Sequence, residues 1–95
     1  MRNTEYIRPE NPNPKRVTES AILQNGKIWT GKRHFELISQ IQKDGGERVS
    51  IDQQGFLTDD GLFVTRSQAW AIAIKAKQID KSFDFKKVLT SEDLW

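Results

Sequence analysis

The most constraining feature of this chain is the segment from Gly55 to Ile79, which reads GFLTDDGLFVTRSQAWAIAIKAKQI. Two short apolar runs flank the turn residues Asp60-Gly61, a pattern that predicts a β-hairpin. Residues 65 to 68, Thr-Arg-Ser-Gln, then fit a capping box, in which the Thr hydroxyl and the Gln carboxamide satisfy free amides at a helix start. The segment therefore predicts a rigid ββα unit whose helix runs to about Gln78 and buries Trp70.

A second hairpin and a second helix precede this unit. Residues 17 to 24 and 27 to 31 flank Asn25-Gly26, a strong hairpin signal. Residues 35 to 43 have helical spacing, and the glycines after Asp44 end that helix. Its predicted apolar stripe comprises Phe35, Leu37, Ile38 and Ile41. Residues 47 to 53 alternate weakly and predict one further strand.

These elements follow one another in the order β-β-α-β-β-β-α. We therefore expect an α+β fold, a small antiparallel sheet of about five strands with two helices. Residues 1 to 15 contain all three prolines of the chain and form an extended or disordered arm, and residues 16 to 95 form a single ligand-binding domain. Either a disordered tail or an arm that clasps a neighbouring subunit through Tyr6 and Ile7 fits this composition.

The residue types available for chemistry favour binding over catalysis. The chain has no cysteine and one histidine, so disulfides and thiol nucleophiles are excluded and no set of metal ligands is visible. Asp59 and Asp60 are adjacent in a turn, whereas an acid–base pair needs opposed walls of a cleft. No glycine-rich phosphate loop is present. We expect a protein that is not an enzyme and needs neither cofactor nor metal.

Charge and size indicate the class of partner. The formal net charge is +2, from 15 Lys and Arg against 13 Asp and Glu, which suits a small anionic ligand better than a nucleic acid polymer. A 95-residue domain without disulfides or a structural metal often gains stability by oligomerising, so we expect a homodimer or a higher homo-oligomer. The absence of a long apolar run predicts a cytoplasmic protein with no membrane partner.

Two groups of residues are candidate anion contacts. Lys32, Arg33 and His34 lie where a strand passes into a helix, and free helix-start amides there favour an anion; a solvated loop with a packed histidine is the alternative. Arg66 is a cation at a helix start, where the macrodipole disfavours it, so it marks either a site or an ion pair with Asp59, Asp60 or the C-terminal acids. Phe56 fits either the core or a pocket wall.

Several motifs together resemble the Thoeris anti-defence family of phage proteins, the first described of the sponge type. They are Asn25 to Trp29, Gly31 to His34, Gln54 to Thr58, Gly61 to Arg66 and Ser91 to Trp95. The resemblance covers about residues 17 to 95. It implies an antiparallel sheet flanked by helices, assembled as homo-oligomers, that binds cyclic ADP-ribose isomers, and in some members cyclic oligonucleotides, without cleaving them.

The resemblance also implies roles for individual residues. Arg33 would bind phosphate with Lys32 and His34 assisting, Phe56 would stack on the base, and Arg66 would contact a second phosphate or the ribose. Ser91, Glu92 and Asp93 would reach ribose hydroxyls from a neighbouring subunit. The sequence departs from the family pattern at Leu62, where a basic residue is usual, and at Thr65, where Asn or Asp is usual.

The function that this resemblance implies is sequestration of a cyclic nucleotide immune signal in the infected bacterial cell, which inhibits host antiphage defence. The alternative is a phage interaction protein that binds a host protein or a nucleic-acid complex directly.

Overall fold

A computed structural model describes residues 2–80 and 88–95 of the chain. Its elements are β1 (Arg2–Glu5), β2 (Val17–Gln24), β3 (Lys27–Gly31), α1 (His34–Lys43), a 3₁₀ turn (Ile51–Gln53), β4 (Gln54–Thr58), β5 (Phe63–Thr65), α2 (Arg66–Lys75) and α3 (Ser91–Leu94). The strands form one antiparallel sheet in the order β1-β3-β2-β4-β5. The expected α+β class, with five antiparallel strands and two long helices, is confirmed.

Local signals account for the β2–β3 hairpin and for the start of α2. Asn25 and Gly26 have φ angles of 54° and 76°, the left-handed pair that a tight two-residue hairpin requires. At α2, the Thr65 hydroxyl accepts from the Gln68 amide at 3.2 Å while the Gln68 side chain accepts from the Thr65 amide at 2.9 Å. The predicted hairpin and the predicted capping box are both confirmed.

Both long helices pack on one face of the sheet, which we call the helix face. Strand residues that pair directly point to the same side, so the buried side chains of β2, β3, β4 and β5 there form one surface. Under α1 the core comprises Ile22, Trp29, Leu37 and Ile41. Under α2 it comprises Val17, Phe56, Val64, Ala69, Trp70, Ala73 and Leu89.

The predicted stripe of α1 needs one correction. Phe35 is 66% exposed, whereas His34 is 6% exposed and takes the first position facing the sheet. Positions 34, 37, 38 and 41 follow the helical spacing of a single face, and position 35 lies about 100° away from it. The aromatic ring is therefore left in solvent at the start of α1.

The strand expected at residues 47 to 53 is absent, and this prediction is wrong. Ser50 and Gln53 form a capping box around the short 3₁₀ turn, which bends the chain before β4. The carboxamide of Gln24 donates to the carbonyl of Glu47 at 3.1 Å, a side-chain bond in place of a strand ladder. The fifth strand is instead β1, in the segment for which an arm was predicted.

The N-terminal segment packs against its own domain. After β1, the Tyr6 amide donates to the Gly26 carbonyl at 2.8 Å, and the Tyr6 hydroxyl accepts from the Phe63 amide at 3.0 Å. Farther along, the Asn13 amide donates to Asp60 at 2.7 Å and the Lys15 amide to Asp59 at 2.9 Å. Residues 6 and 7 thus lie on the second face of the sheet, which we call the outer face, where Tyr6 anchors them within the subunit, and residues 13 to 16 are held at the β4–β5 turn near α2.

Candidate functional site

The starts of α1, α2 and α3 meet at one end of the helix face. Nη1 of Arg33 lies 3.8 Å from Oε1 of Glu92, which joins the start of α1 to α3. The Leu89 amide donates to the Arg66 carbonyl at 3.1 Å, which joins the segment before α3 to α2. We call this region the helix-start corner (Arg33, His34, Arg66, Glu92). Residues from three distant parts of the sequence, all predicted as contacts, are therefore brought together.

His34 is a structural residue of this corner. Its Nε2–H donates to the Gly55 carbonyl at 2.7 Å, and its ring meets that of Phe56 edge-on at a centroid distance of 5.0 Å. Burial is the main cause that lowers the pKa of His34, and the charge of Arg66 lowers it further. The imidazole is therefore neutral at pH 7 and fastens α1 to β4, which corresponds to the packed alternative and not to a cationic phosphate contact.

Arg33 is the residue before α1 and keeps a partly open side chain. It is 30% exposed and its partner Glu92 is 66% exposed, so solvent screens their ion pair and the pair adds little stability. Lys32 is exposed, and its main-chain carbonyl accepts from the Ser20 hydroxyl at 2.8 Å. Because Glu92 belongs to the same chain as Arg33, no neighbouring subunit is needed to bring it there.

Arg66 is the first residue of α2. Its Nη2 donates to the carboxamide oxygen of Gln54 at 2.6 Å, whereas its buried Nε has no hydrogen-bond partner among residues 2–80 and 88–95. The alternative partners Asp59 and Asp60 hold the N-terminal segment instead. A guanidinium with an unused donor at a helix start is poised for an acceptor, because an unpaired buried polar group costs free energy.

An open groove of about 450 Å³ lies beside Arg66. Its apolar walls are Ile51 and Val88, which are 73% and 39% exposed, and its polar walls include the exposed residue Asp52, a carboxylate, together with Thr65 and Ser67 of the α2 start. Sequence reasoning missed Ile51 because residues 47 to 53 were assigned to a strand, and it missed Val88 because no element was predicted after α2. The Ser50…Gln53 capping spacing was the local signal that pointed to a turn there.

Three other predicted ligand contacts, Phe56, Ser91 and Asp93, are buried or already bonded within the chain. Phe56 is completely buried in the core under α2, so its ring has no face open to a ligand, and this corrects the stacking role. Ser91 is 3% exposed. Oδ2 of Asp93 accepts from the Thr90 amide at 2.9 Å and from its hydroxyl at 3.1 Å, contacts that start α3. Of Ser91, Glu92 and Asp93, only Glu92 presents an exposed polar side chain at the helix-start corner.

The arrangement offers cationic binding chemistry with apolar walls. Within residues 2–80 and 88–95, no group of three His, Asp or Glu side chains is arranged to hold a metal ion. Asp59 and Asp60 accept hydrogen bonds from amides of residues 13 to 16, and the amide of Lys15 is the main cause that lowers the pKa of Asp59. Over the same residues, no helix has the length and apolar character to cross a membrane.

Comparison with known proteins places the chain in a family. A family model described as phage T4 y16D protein matches residues 15–95. No curated protein and no solved structure matches the chain. The matched region contains both long helices and four of the five strands, and β1 precedes it. The chain therefore belongs to the phage T4 y16D protein family.

Proposed function

We propose that this phage protein is a non-catalytic sponge that binds and sequesters a cyclic nucleotide immune signal, specifically a cyclic ADP-ribose isomer, and so inhibits host antiphage defence. The observation that carries the proposal is the Nε of Arg66, which has no partner in the part of the chain that the structure describes, beside a groove of about 450 Å³. The resemblance to the Thoeris anti-defence family gives the chemical identity of the ligand.

The cationic side of the groove suits a diphosphate. A guanidinium binds phosphate through two parallel N–H donors, and a phosphate that displaces the Gln54 carboxamide from Nη2 of Arg66 would pair with Nε and Nη2 together. The first amides of α2, a helix of 10 residues, and the hydroxyl of Ser67 add donors at the same end. Arg33 supplies a second cation if its weak pair with Glu92 opens.

The apolar side of the groove suits a base or a ribose face. Ile51 precedes Arg66 in the sequence and Val88 follows it. Both side chains are exposed and line the groove. Burying such side chains against a planar ring is favourable in proportion to the apolar area removed from water. They therefore take the stacking role that Phe56, in the core, does not fill.

Release of an unaltered ligand is part of the proposal. The histidine of the corner is neutral and bonded to a carbonyl, and the adjacent carboxylates of the β4–β5 turn hold the N-terminal segment. These placements support retention without bond cleavage. We also propose a homodimer or higher homo-oligomer, because a domain of 95 residues without disulfides often gains stability by associating.

The test is calorimetry and thermal unfolding of the full chain with a panel of cyclic ADP-ribose isomers and cyclic oligonucleotides. A ligand at 100 times its Kd is expected to add about 2.7 kcal/mol to the free energy of unfolding. Arg66→Ala is expected to weaken binding at least about tenfold, since a charge-assisted bond is lost. Arg8→Ala, which removes an exposed arginine of the N-terminal segment, is the matched control.

Mass spectrometry of the ligand released by heat completes the test. An unchanged ligand mass supports sequestration, whereas a cleaved ligand contradicts it. Absence of stabilisation by every cyclic nucleotide in the panel also contradicts it.

A second candidate function is direct binding of a host protein. The observation that favours it is Phe35, whose ring is 66% exposed at the start of α1 beside Arg33. Exposed aromatics and arginines are typical anchors of protein interfaces. A host protein captured by the wild type but not by Phe35→Ala, together with no nucleotide binding, would establish this function instead.

A further inference from the structure

A second cavity, of about 250 Å³, lies on the outer face of the sheet between the N-terminal segment and the strands. Its walls come from β1 and the residues that follow it, among them Tyr6 and Ile7, and from Ile28 and Leu57 of the sheet. β1 and the beginning of this segment precede the residues matched by the family model, so this chain builds part of the cavity from residues outside that match.

An unpartnered hydroxyl lies in the wall of this cavity. Thr30 is 2% exposed, and its buried Oγ1 has no hydrogen-bond partner among the side chains and main-chain groups that the structure describes. Buried hydroxyls in folded proteins are nearly always bonded to protein or to a bound molecule. The neighbouring residue Trp29 points to the opposite face and packs under α1, so Thr30 belongs to the outer face and is separate from the helix-start corner.

Size and polarity define what this cavity would take. Ile28, Leu57 and the Tyr6 ring provide apolar walls, and the cavity is open to solvent on one side, so a small ring can enter it. Thr30 can donate or accept one hydrogen bond. The cavity has little more than half the volume of the groove beside Arg66, so it suits a smaller molecule than the nucleotide proposed above.

We propose that the outer-face cavity is a second binding site for a small uncharged molecule, largely apolar and with one hydroxyl or carbonyl that pairs with Thr30 Oγ1. The N-terminal segment forms one wall of this site. Tyr6 secures that wall through its hydroxyl, which accepts from the Phe63 amide at 3.0 Å, and through its ring, which meets the Phe63 ring edge-on at 6.4 Å.

The experiment is an NMR titration of the full-length chain with p-cresol, which has a phenyl ring and one hydroxyl. Saturable shifts are expected for the amides of Ile28, Thr30 and Leu57. Thr30→Val keeps the shape of the side chain and removes the hydroxyl, so p-cresol is expected to bind about tenfold more weakly, the ratio for one lost hydrogen bond. Thr30→Ser retains the hydroxyl and is expected to bind within about twofold of the wild type.

Controls separate this site from the proposed nucleotide site. Arg66→Ala is expected to leave p-cresol binding unchanged, and Thr30→Val is expected to leave binding of cyclic ADP-ribose isomers unchanged. An unchanged amide spectrum away from the cavity shows that Thr30→Val is folded. The proposal is overturned if the shifts are absent, if they fall at the helix-start corner, or if Thr30→Val binds p-cresol as tightly as the wild type.

Discussion

The side chain of Gln78 pairs with both main-chain polar groups of Val17, as a neighbouring strand would. The Val17 amide donates to Oε1 at 2.8 Å, and Nε2 donates to the Val17 carbonyl at 2.8 Å. Lys77 has a φ of 59°, a left-handed turn after α2, and the Gln78 amide donates back to the Ala73 carbonyl at 2.8 Å. The end of α2 is thereby fastened to the first residue of β2.

Loss of this side chain should destabilise the fold. Val17 is 1% exposed, so Gln78→Ala leaves a buried amide and a buried carbonyl unpaired. We expect the free energy of unfolding to fall by about 2 kcal/mol, measured by urea denaturation. Gln42→Ala, an exposed position on α1, is the control and is expected to change it by less than about 0.5 kcal/mol. Equal effects of the two substitutions would show that the pairing with Val17 is not stabilising.

His34 should make stability depend on pH. Burial lowers its pKa below the ordinary 6.5, so between that value and the lowered one the unfolded chain binds more protons than the folded chain. The free energy of unfolding is therefore expected to fall as the pH drops below about 6.5. His34→Gln retains an N–H donor for the Gly55 carbonyl and is expected to remove this slope. The measurement is urea denaturation across about pH 5 to 7.5, and the same slope in both proteins would rule His34 out as its source.

Gly55 cannot accept a side chain at its place in β4. A Cβ there would lie 2.2 Å from the Val64 carbonyl oxygen and 2.7 Å from the Phe63 ring. Gly55→Ala is therefore expected to lower the free energy of unfolding by about 3 kcal/mol, because backbone must move. Gly45→Ala is a matched comparison, since Gly45 has φ +78° and open space around it, and its expected cost is about 1 kcal/mol. A larger loss of unfolding free energy for Gly45→Ala than for Gly55→Ala, in thermal or urea unfolding, would contradict the steric clash inferred at Gly55.

Those parts of the fold that rest on neighbouring residues were predictable from the sequence. The Asn25-Gly26 turn and the Thr65–Gln68 box depend on residues at most three positions apart. The docking of residues 13 to 16 depends on Asp59 and Asp60, more than 40 positions later, and no local pattern records such a contact. The composition of residues 1 to 15 therefore predicted an arm, but not that its last residues bind the β4–β5 turn of the same chain.

The candidate site was predictable as a set of residues but not as a geometry. Arg33 and Arg66 were identified because each is a cation at a helix start, and the structure brings both to one corner. Phe56 does not belong to the candidate site, because strand alternation directs its ring to the core under α2. Ile51 was missed because its exposure results from the capping box of residues 50 to 53, which competes with strand formation.

The Arg33–Glu92 pair should regulate anion binding at the helix-start corner. Glu92 lies 3.8 Å from the Arg33 guanidinium and competes with any bound phosphate. Because the pair is exposed, Glu92→Gln is expected to change the free energy of unfolding by less than about 0.5 kcal/mol. If the proposed function is correct, the same substitution should tighten binding of a cyclic ADP-ribose isomer about threefold, measured by calorimetry.

Glu36→Gln provides the matched control for this effect. Glu36 is an exposed carboxylate in the first turn of α1, so its substitution removes the same charge from the same end of the molecule. We expect a smaller gain in affinity, since Glu36 is not the ion-pair partner of Arg33. An equal gain from both substitutions would mean that overall charge, and not release of Arg33, governs the affinity. Weaker binding by Glu92→Gln would instead make Glu92 a ligand contact, as the ribose role predicted from the sequence requires.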